Sequence, residues 1–402
     1  MPPSTRVVWD PVFTAYDFGP DHPMSPVRLE LTARLLEDLG VLRSPGVQVR
    51  GAEVAPDALL HTVHLPEYVE AVRRVSADPR RSDEARGLGT EDDPAFAGMH
   101  EASARILQAS VDCADELWRG DVAHAVNFTG GMHHAMRGRA AGFCVYNDVA
   151  AAVQRLLDAG ARRVAYVDVD VHHGDGVQAA FWDDPRVLTV SVHQSGRTLF
   201  PGTGFPEETG GPGAEGTAAN VALPRGTGDA AWLRAIHAVA HPLVRAFEPD
   251  VLVTQHGCDS HQLDPLADLA TSVDAQRAAA DSLHDLAHEV CDGRWLATGG
   301  GGYAVVDVVP RTWAHVVGIA AHAPVRPTTP TPEPWREHVR RTHRREAPLL
   351  MGDPDLCGAG QGDAAPWFRP WEQGHDPEDA VDRAVLATRS AVFPSQGLDP
   401  WF

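Results

Sequence analysis

Short apolar runs alternate with stretches of helical periodicity from about residue 6 to about residue 323. The runs at residues 6–9, 123–128, 164–169, 187–192, 251–255 and 294–298 predict strands, being brief and rich in Val, Leu and Ala. Between them the 3.6-residue pattern predicts helices over 26–39, 66–75, 96–118, 148–159, 230–247, 273–291 and 306–322. Strands separated by helices of crossover length imply a mostly parallel sheet covered on both faces. After residue 323 the pattern lapses: five prolines interrupt a Thr-rich stretch, a basic run follows from His338 to Arg345, and Trp367, Trp371 and Trp401 stand among Gly and Pro. The expected organisation is one domain over 1–323 and an irregular extension over 324–402, its aromatic residues packed on that domain or on a partner subunit.

Polar clusters follow the apolar runs directly. They are Gly130-Gly131-Met132-His133-His134, the segment 168–175, Ser191-Val192-His193, His256-Gly257-Cys258-Asp259, and four glycines leading into Tyr303. In open parallel sheets ligands bind at the carboxyl ends of the strands, so five strands would deliver side chains to one rim.

The segment 168–175 is the most informative of them. Residues two apart on a strand share a face, which aligns Asp168, Asp170 and His172. A solvated acidic loop is the plainer reading, but Val167, Val169 and Val171 argue for burial. Two buried carboxylates and an imidazole are costly without a cation among them. Oxygen and nitrogen donors of this kind suit a catalytic zinc. Asp170 and His172, nearest the rim, are the expected ligands, and Asp259 at the next strand end is the expected third; Asp168 and Asp175 then remain to orient imidazoles. With 21 histidines in 402 residues, about one adjacent pair arises by chance. His133-His134 therefore reads as catalytic or as packed core until its neighbours are weighed. Likewise, Tyr303 is either an oxyanion donor or a ring packed on a glycine turn. The glycine run lacks both GxGxxG spacing and a following Lys-Ser/Thr, which excludes a nucleotide loop.

Composition narrows the setting. A formal charge of −21 argues against nucleic-acid backbone binding and is compatible with a cationic substrate, although acidity also serves solubility. No run of about 18 apolar residues predicts a membrane span. The opening Met1-Pro2-Pro3 leads into a strand without a signal-peptide core, so a cytoplasmic protein is expected. Five scattered cysteines (Cys113, Cys144, Cys258, Cys291, Cys357) with no CxxC predict reduced thiols, leaving metal ligation to His and carboxylates.

Together these segments resemble the histone deacetylase family of the arginase–deacetylase superfamily, most closely its bacterial acetoin-utilization branch, near class I. The motifs begin with Tyr16-Asp17-x-Gly19-Pro20-x-His22-Pro23-x-x-Pro26-x-Arg28-Leu29 and Gly89-Thr90-Glu91-Asp92-Asp93-Pro94-Ala95-Phe96. GGMHHA, GFCVYND, DVDVHHGDGV, Leu199-Phe200-Pro201-Gly202-Thr203-Gly204, HGCDSHQLDPLADL and GGGGY follow in order. The resemblance implies a three-layer arginase/deacetylase-like α/β fold with a central eight-stranded parallel sheet. It implies one zinc held by Asp170, His172 and Asp259, pairing of His133 with Asp168 and of His134 with Asp175, and carbonyl polarisation by Tyr303. It further implies substrate contacts from Gly142, Phe143, Phe200 and Gly301, a rim aspartate at Asp92 holding substrate backbone, and Arg28 at an inner cavity for acetate exit. Potassium would lie near Asp168, Asp170, His172, Ser191 and Val192, with a second ion around Phe181, Asp184 and Val187.

The activity implied is hydrolysis of acetyl-lysine in proteins or peptides, with a small acetylated amine such as an acetylpolyamine as the alternative substrate. No long insertion interrupts the early loops, which favours the protein substrate. An arginase-like pair of manganese ions would require further bridging aspartates, and a catalytically silent scaffold would not need the intact polar set.

Overall fold

The computed structural model describes residues 4–354, 356 and 362–402. Cys357 and the initial Met1-Pro2-Pro3 lie outside the described residues. Eight strands, β1 (Thr5–Val8), β2 (Val47–Arg50), β3 (His124–Asn127), β4 (Val164–Asp168), β5 (Val187–Gln194), β6 (Ala218–Leu223), β7 (Val251–Gln255) and β8 (Trp295–Thr298), form one sheet in the order β2-β1-β3-β8-β7-β4-β5-β6. Every pairing is parallel, giving the sheet that the crossover pattern and the resemblance imply.

The helices are α1 (Val27–Asp38), α2 (Asp57–Leu60), α3 (Pro66–Ala77), α4 (Met99–Arg119), α5 (Asp148–Asp158), α6 (Asp175–Ala180), α7 (Asp229–Phe247), α8 (Val273–Cys291), α9 (Val309–Ala320), α10 (Glu333–His343) and α11 (Ala380–Val392). One layer joins α3, α4, α5 and α6; the other joins α1, α9, α8, α7 and α11. Burial on both faces explains why the interior strands read as unbroken apolar runs. None of the described helices is long and apolar enough to cross a membrane.

Two strands escape the apolar pattern, and both are sheet edges. β2 is half exposed, so its Val-Gln-Val-Arg alternates on a four-residue scale. β6 is built on small residues, Ala-Ala-Asn-Val-Ala-Leu, with little β-branched character.

The extension after residue 323 is less irregular than its composition predicts. It contains α10 and α11, and the basic run begins on α10. Trp335 is fully buried and its indole donates to Leu31 O at 3.0 Å, fastening α10 to α1. α11 covers β6, where the Thr388 hydroxyl donates to Asn220 O and so satisfies a carbonyl of an edge strand. Of the three expected aromatic anchors, Trp371 is buried between Arg234 and Arg389, whereas Trp367 and Trp401 are exposed.

The strand register carries the decisive feature. Asn127, Thr298, Gln255, Asp168, Ser191 and Asn220 lie side by side across six consecutive strands, β3-β8-β7-β4-β5-β6. The row before it is Val126, Ala297, Thr254, Val167, Val190 and Ala219. An apolar sheet therefore ends in a polar row, and the site begins there.

Candidate active site

His133 and His134 follow β3, Asp170 to Asp175 follow β4, Asp259 follows β7 and Tyr303 follows β8. Those four strands are contiguous in the sheet although separated in the chain. The turn after β3 is fixed by Asp148 at the start of α5, whose carboxylate accepts from Met132 N at 2.8 Å and Gly131 N at 3.1 Å. Asn147 caps that helix through Ala150 N and also reaches Ala135 O, locking the histidine turn to α5.

Asp170, His172 and Asp259 converge, each buried. His172 Nδ1 lies 3.1 Å from Asp170 Oδ1 and 3.1 Å from Asp259 Oδ2. The remaining carboxylate lone pairs are used: Asp170 Oδ2 accepts from Gln255 Nε2 at 2.7 Å and Gly301 N at 2.8 Å, and Asp259 Oδ1 accepts from Val171 N at 3.0 Å. Burial, together with the charge of Asp170, pushes the Asp259 carboxyl up to about 6. Burial opposes protonation of His172, yet the two facing carboxylates raise it to about 10. Three donor atoms thus point at one place that is short of positive charge, an arrangement that can hold a metal ion.

Beside it stand two imidazole–carboxylate pairs. His133 Nδ1 is 2.7 Å from Asp168 Oδ2, and His134 Nδ1 is 2.7 Å from Asp175 Oδ1, with the rings 4.0 Å apart. Burial lowers His133, but Asp168 and Asp170 outweigh it and bring the ring up to about 9. For His134, burial and the neighbouring His133 outweigh Asp175 and bring it down to about 4. His173, the second member of the other His-His pair, turns away to Thr203 and Gln178.

A cleft of about 180 Å³ opens over these groups, lined by Asp92, His134, Gly142, Phe143, His172, Phe200 and Tyr303 with Leu199 and Leu266. Phe143 stands edge-on to Tyr303, and Phe200 edge-on to His134. Gly142 has φ +54, and a β-carbon there would sit 2.5 Å from His134 Cδ2 and 2.9 Å from Phe200 Cε1. At Gly301 a β-carbon would fall 2.0 Å from Asp259 Oδ2. Both glycines are dictated by close approach. Arg28 is buried below, donating to Gly300 O at 2.7 Å and lying over the Trp313 ring.

The three adjacent acids of the rim motif separate cleanly. Glu91 is exposed, Asp92 faces the cleft, and Asp93 is buried. Of the residues expected around potassium, Asp168 and Ser191 are register partners, with Val192 next along β5. Phe181, Asp184 and Val187 share one turn, where Asp184 N donates to Phe181 O and Val187 N to Asp184 O. Asp184 commits its carboxylate to Arg186, so backbone oxygens are the donors left in that turn.

Several contributors were not singled out from the sequence. Gln255 holds Asp170, Tyr166 donates to Asp168 at 2.6 Å, Asp264 accepts from Tyr303 N at 2.8 Å, and Tyr16 donates to Phe143 O at 2.7 Å. Gln255 and Tyr166 carried a usable signal. Each is a polar side chain within a buried apolar strand, and Tyr166 shares a face with Asp168.

The chain is related in sequence and in fold to known proteins. Residues 22–320 match the family model described as "Histone deacetylase domain". The "Acetoin utilization protein AcuC" of Bacillus subtilis (strain 168) is 40% identical over 311 residues, covering 77% of this chain and 80% of that protein. Its namesake in Staphylococcus xylosus is 35% identical over 337 residues, covering 83% and 87%. Among solved structures, "Crystal Structure of HDA15 HD domain" superposes with a TM-score of 0.71 at 29% identity, covering 79% of this chain and 89% of that one.

Proposed function

We propose that this chain, which belongs to the histone deacetylase family and is similar to its acetoin utilization proteins, is a zinc-dependent hydrolase of acetyl-lysine in proteins or peptides. The observation that carries the reading is the convergence, under one narrow cleft, of the Asp170–His172–Asp259 donor set, two imidazole–carboxylate pairs and Tyr303.

The donor set fits zinc. One oxygen of each carboxylate faces His172 Nδ1 at 3.1 Å, close to the edge of about 3.3 Å expected for a tetrahedron of ligands about 2.0–2.1 Å from its centre. Asp170 and Asp259 are buried and both face His172, with His133 Nε2 3.9 Å from Asp170, and a divalent cation among them would offset the two carboxylates. When bound, zinc supplies Lewis acidity and lowers the pKa of an attacking water.

The chain's own groups then divide the remaining work. Asp175 holds Nδ1 of His134, which leaves Nε2 toward the cleft to take the proton of the attacking water and pass it to the departing amine. Asp168, itself held by Tyr166, keeps the proton on Nδ1 of His133 and stabilises that ring as a cation. Tyr303 donates to the carbonyl oxygen as negative charge develops there. Phe143 and Phe200 enclose the methylene chain, which excludes water from the scissile amide. Asp92, exposed at the mouth, accepts from the substrate backbone. Arg28 lies beneath the glycine run, where acetate would depart. The same reading puts potassium beside Asp168, Ser191 and Val192 and in the 181–187 turn, and puts the enzyme in the cytoplasm, with neither nucleic acid nor membrane as a partner.

The preference for protein over small amine is supported by an apolar rim, since Phe200 and Leu266 line the cleft and are exposed. The test is kcat/KM of the zinc-loaded enzyme for an acetyl-lysine peptide against acetylputrescine. A higher value for the peptide is expected, and a large preference for acetylputrescine would transfer the activity to small amines.

A further inference from the structure

A second convergence of imidazoles lies at the opposite edge of the sheet. His124 begins β3 at its amino end, His284 and His288 lie one turn apart on α8, and His322 follows α9. One nitrogen from each ring lies within 4.8 Å of the others. The contacts are between Nε2 atoms: His124 to His322 at 2.9 Å, and His284 to His288 at 3.1 Å.

The surroundings leave the four rings facing one another with little else to bond. Asp285 is the one carboxylate among the described residues within 4 Å of a nitrogen of the four rings; it reaches Nδ1 of His284 at 3.7 Å and is exposed. Nδ1 of His124 is buried without a hydrogen-bond partner, and the ring packs edge-on to Trp295. Gly293 closes over His288, with space too small for a β-carbon, which would come within 2.9 Å of Nδ1. Nε2 separations of 2.9 and 3.1 Å approach the edge of about 3.3 Å for four ligands about 2.0–2.1 Å from a shared centre. Four imidazoles with no thiolate among them select a borderline divalent ion of the late transition series.

We propose that His124, His284, His288 and His322 form a second, closed metal site, occupied by a divalent transition ion such as Zn2+, that ties α8 and the end of α9 to β3. Four protein ligands leave no open position, so its role is structural, unlike that of the site at the other edge.

His288 and His322 are exposed, so replacing them spares the core. Zinc per chain is measured after zinc loading and desalting in the full-length protein and in the His288→Gln/His322→Gln double variant. The variant should hold one zinc fewer per chain while retaining deacetylase turnover. Equal zinc content in the two proteins overturns the proposal and leaves four hydrogen-bonded imidazoles. Because the readout is a difference, an error in the proposed catalytic zinc would lower both counts alike. A single His288→Gln variant guards against misfolding: it should release one zinc to a competing chelator at concentrations at which the wild type retains it, and equal retention again overturns the site.

Discussion

Nδ1 of His133 lies 2.7 Å from Oδ2 of Asp168, and the phenol of Tyr166 donates to that same oxygen at 2.6 Å. Two donors on one oxygen fix the carboxylate and, through it, the ring. Asp168→Asn keeps the shape and removes the charge that supports a protonated His133. Turnover should fall by about 10²-fold, the scale at which orienting partners act, with zinc content unchanged. Steady-state kinetics beside metal analysis checks this, and wild-type turnover would remove the pair from the mechanism.

Tyr303 reaches the cleft from the end of the glycine run, its backbone held by Asp264. Tyr303→Phe removes only the phenolic donor. Loss of about 10²–10³ in kcat is expected, with substrate affinity and zinc retained. Zinc loss in this variant would assign the tyrosine a different role.

Gly142 has no room for a methyl group between His134 and Phe200. Gly142→Ala should reduce kcat/KM at least tenfold by displacing the imidazole or the cleft wall. Gly226→Ala serves as the control: its φ is +77, but nothing lies within 4 Å of the added carbon, so it carries backbone strain of about 1 kcal/mol without a collision. Equal activity in the two variants would show that the wall yields.

Asp93 sits behind the cleft rim, where burial and the neighbouring Asp92 raise its carboxyl to about 8 despite the pull of Arg139 and the Phe143 amide. In the unfolded chain it titrates at about 3.9. Between those values the folded state retains a proton that the unfolded state has released, so this residue's contribution falls as pH rises from about 4 to about 8. Asp93→Asn, neutral at every pH, should therefore gain thermal stability over the wild type progressively across that window. Parallel Tm–pH curves would contradict the assignment.

Trp335 is buried against α1 and bonded to Leu31 O. Trp335→Ala should destabilise the protein by about 3–5 kcal/mol in denaturant titration, the usual cost of emptying a buried aromatic site. A loss under about 1 kcal/mol would mean that α10 is not fastened through this ring.

The sequence made the interior of the sheet legible because strands buried on both faces leave continuous apolar runs. Those at 164–169 and 251–255 were recognisable for that reason, whereas β2 and β6 were not, since an edge strand is shaped by what covers it. α11 was hidden by the Gly and Pro around it, although Asp379 caps it through Val381 N. Within the candidate site, the chemistry of 168–175 was visible because acidic and histidine side chains alternate with valines there, although β4 ends at Asp168, and Asp170 and His172 lie on the segment that follows it. Gln255 is marked in the sequence only as a polar side chain in an apolar strand, because what it holds follows from the register that sets it beside Asp168, a relation between strands about 90 residues apart. The cluster around His124 was invisible for the same reason: its four rings come from β3, α8 and the segment after α9.

The last strand of the chain is not at an edge. β8 lies between β3 and β7, so it is the member that joins the two halves of the sheet. During synthesis, everything made before residue 295 can form at most two separate half-sheets, one carrying His133 and His134 and the other carrying Asp170, His172 and Asp259. Closure awaits a four-residue segment, and that segment leads directly into the glycines and Tyr303. The strand that joins the two half-sheets is thus also the one that delivers the phenol, so the site gains Tyr303 only when the sheet is closed.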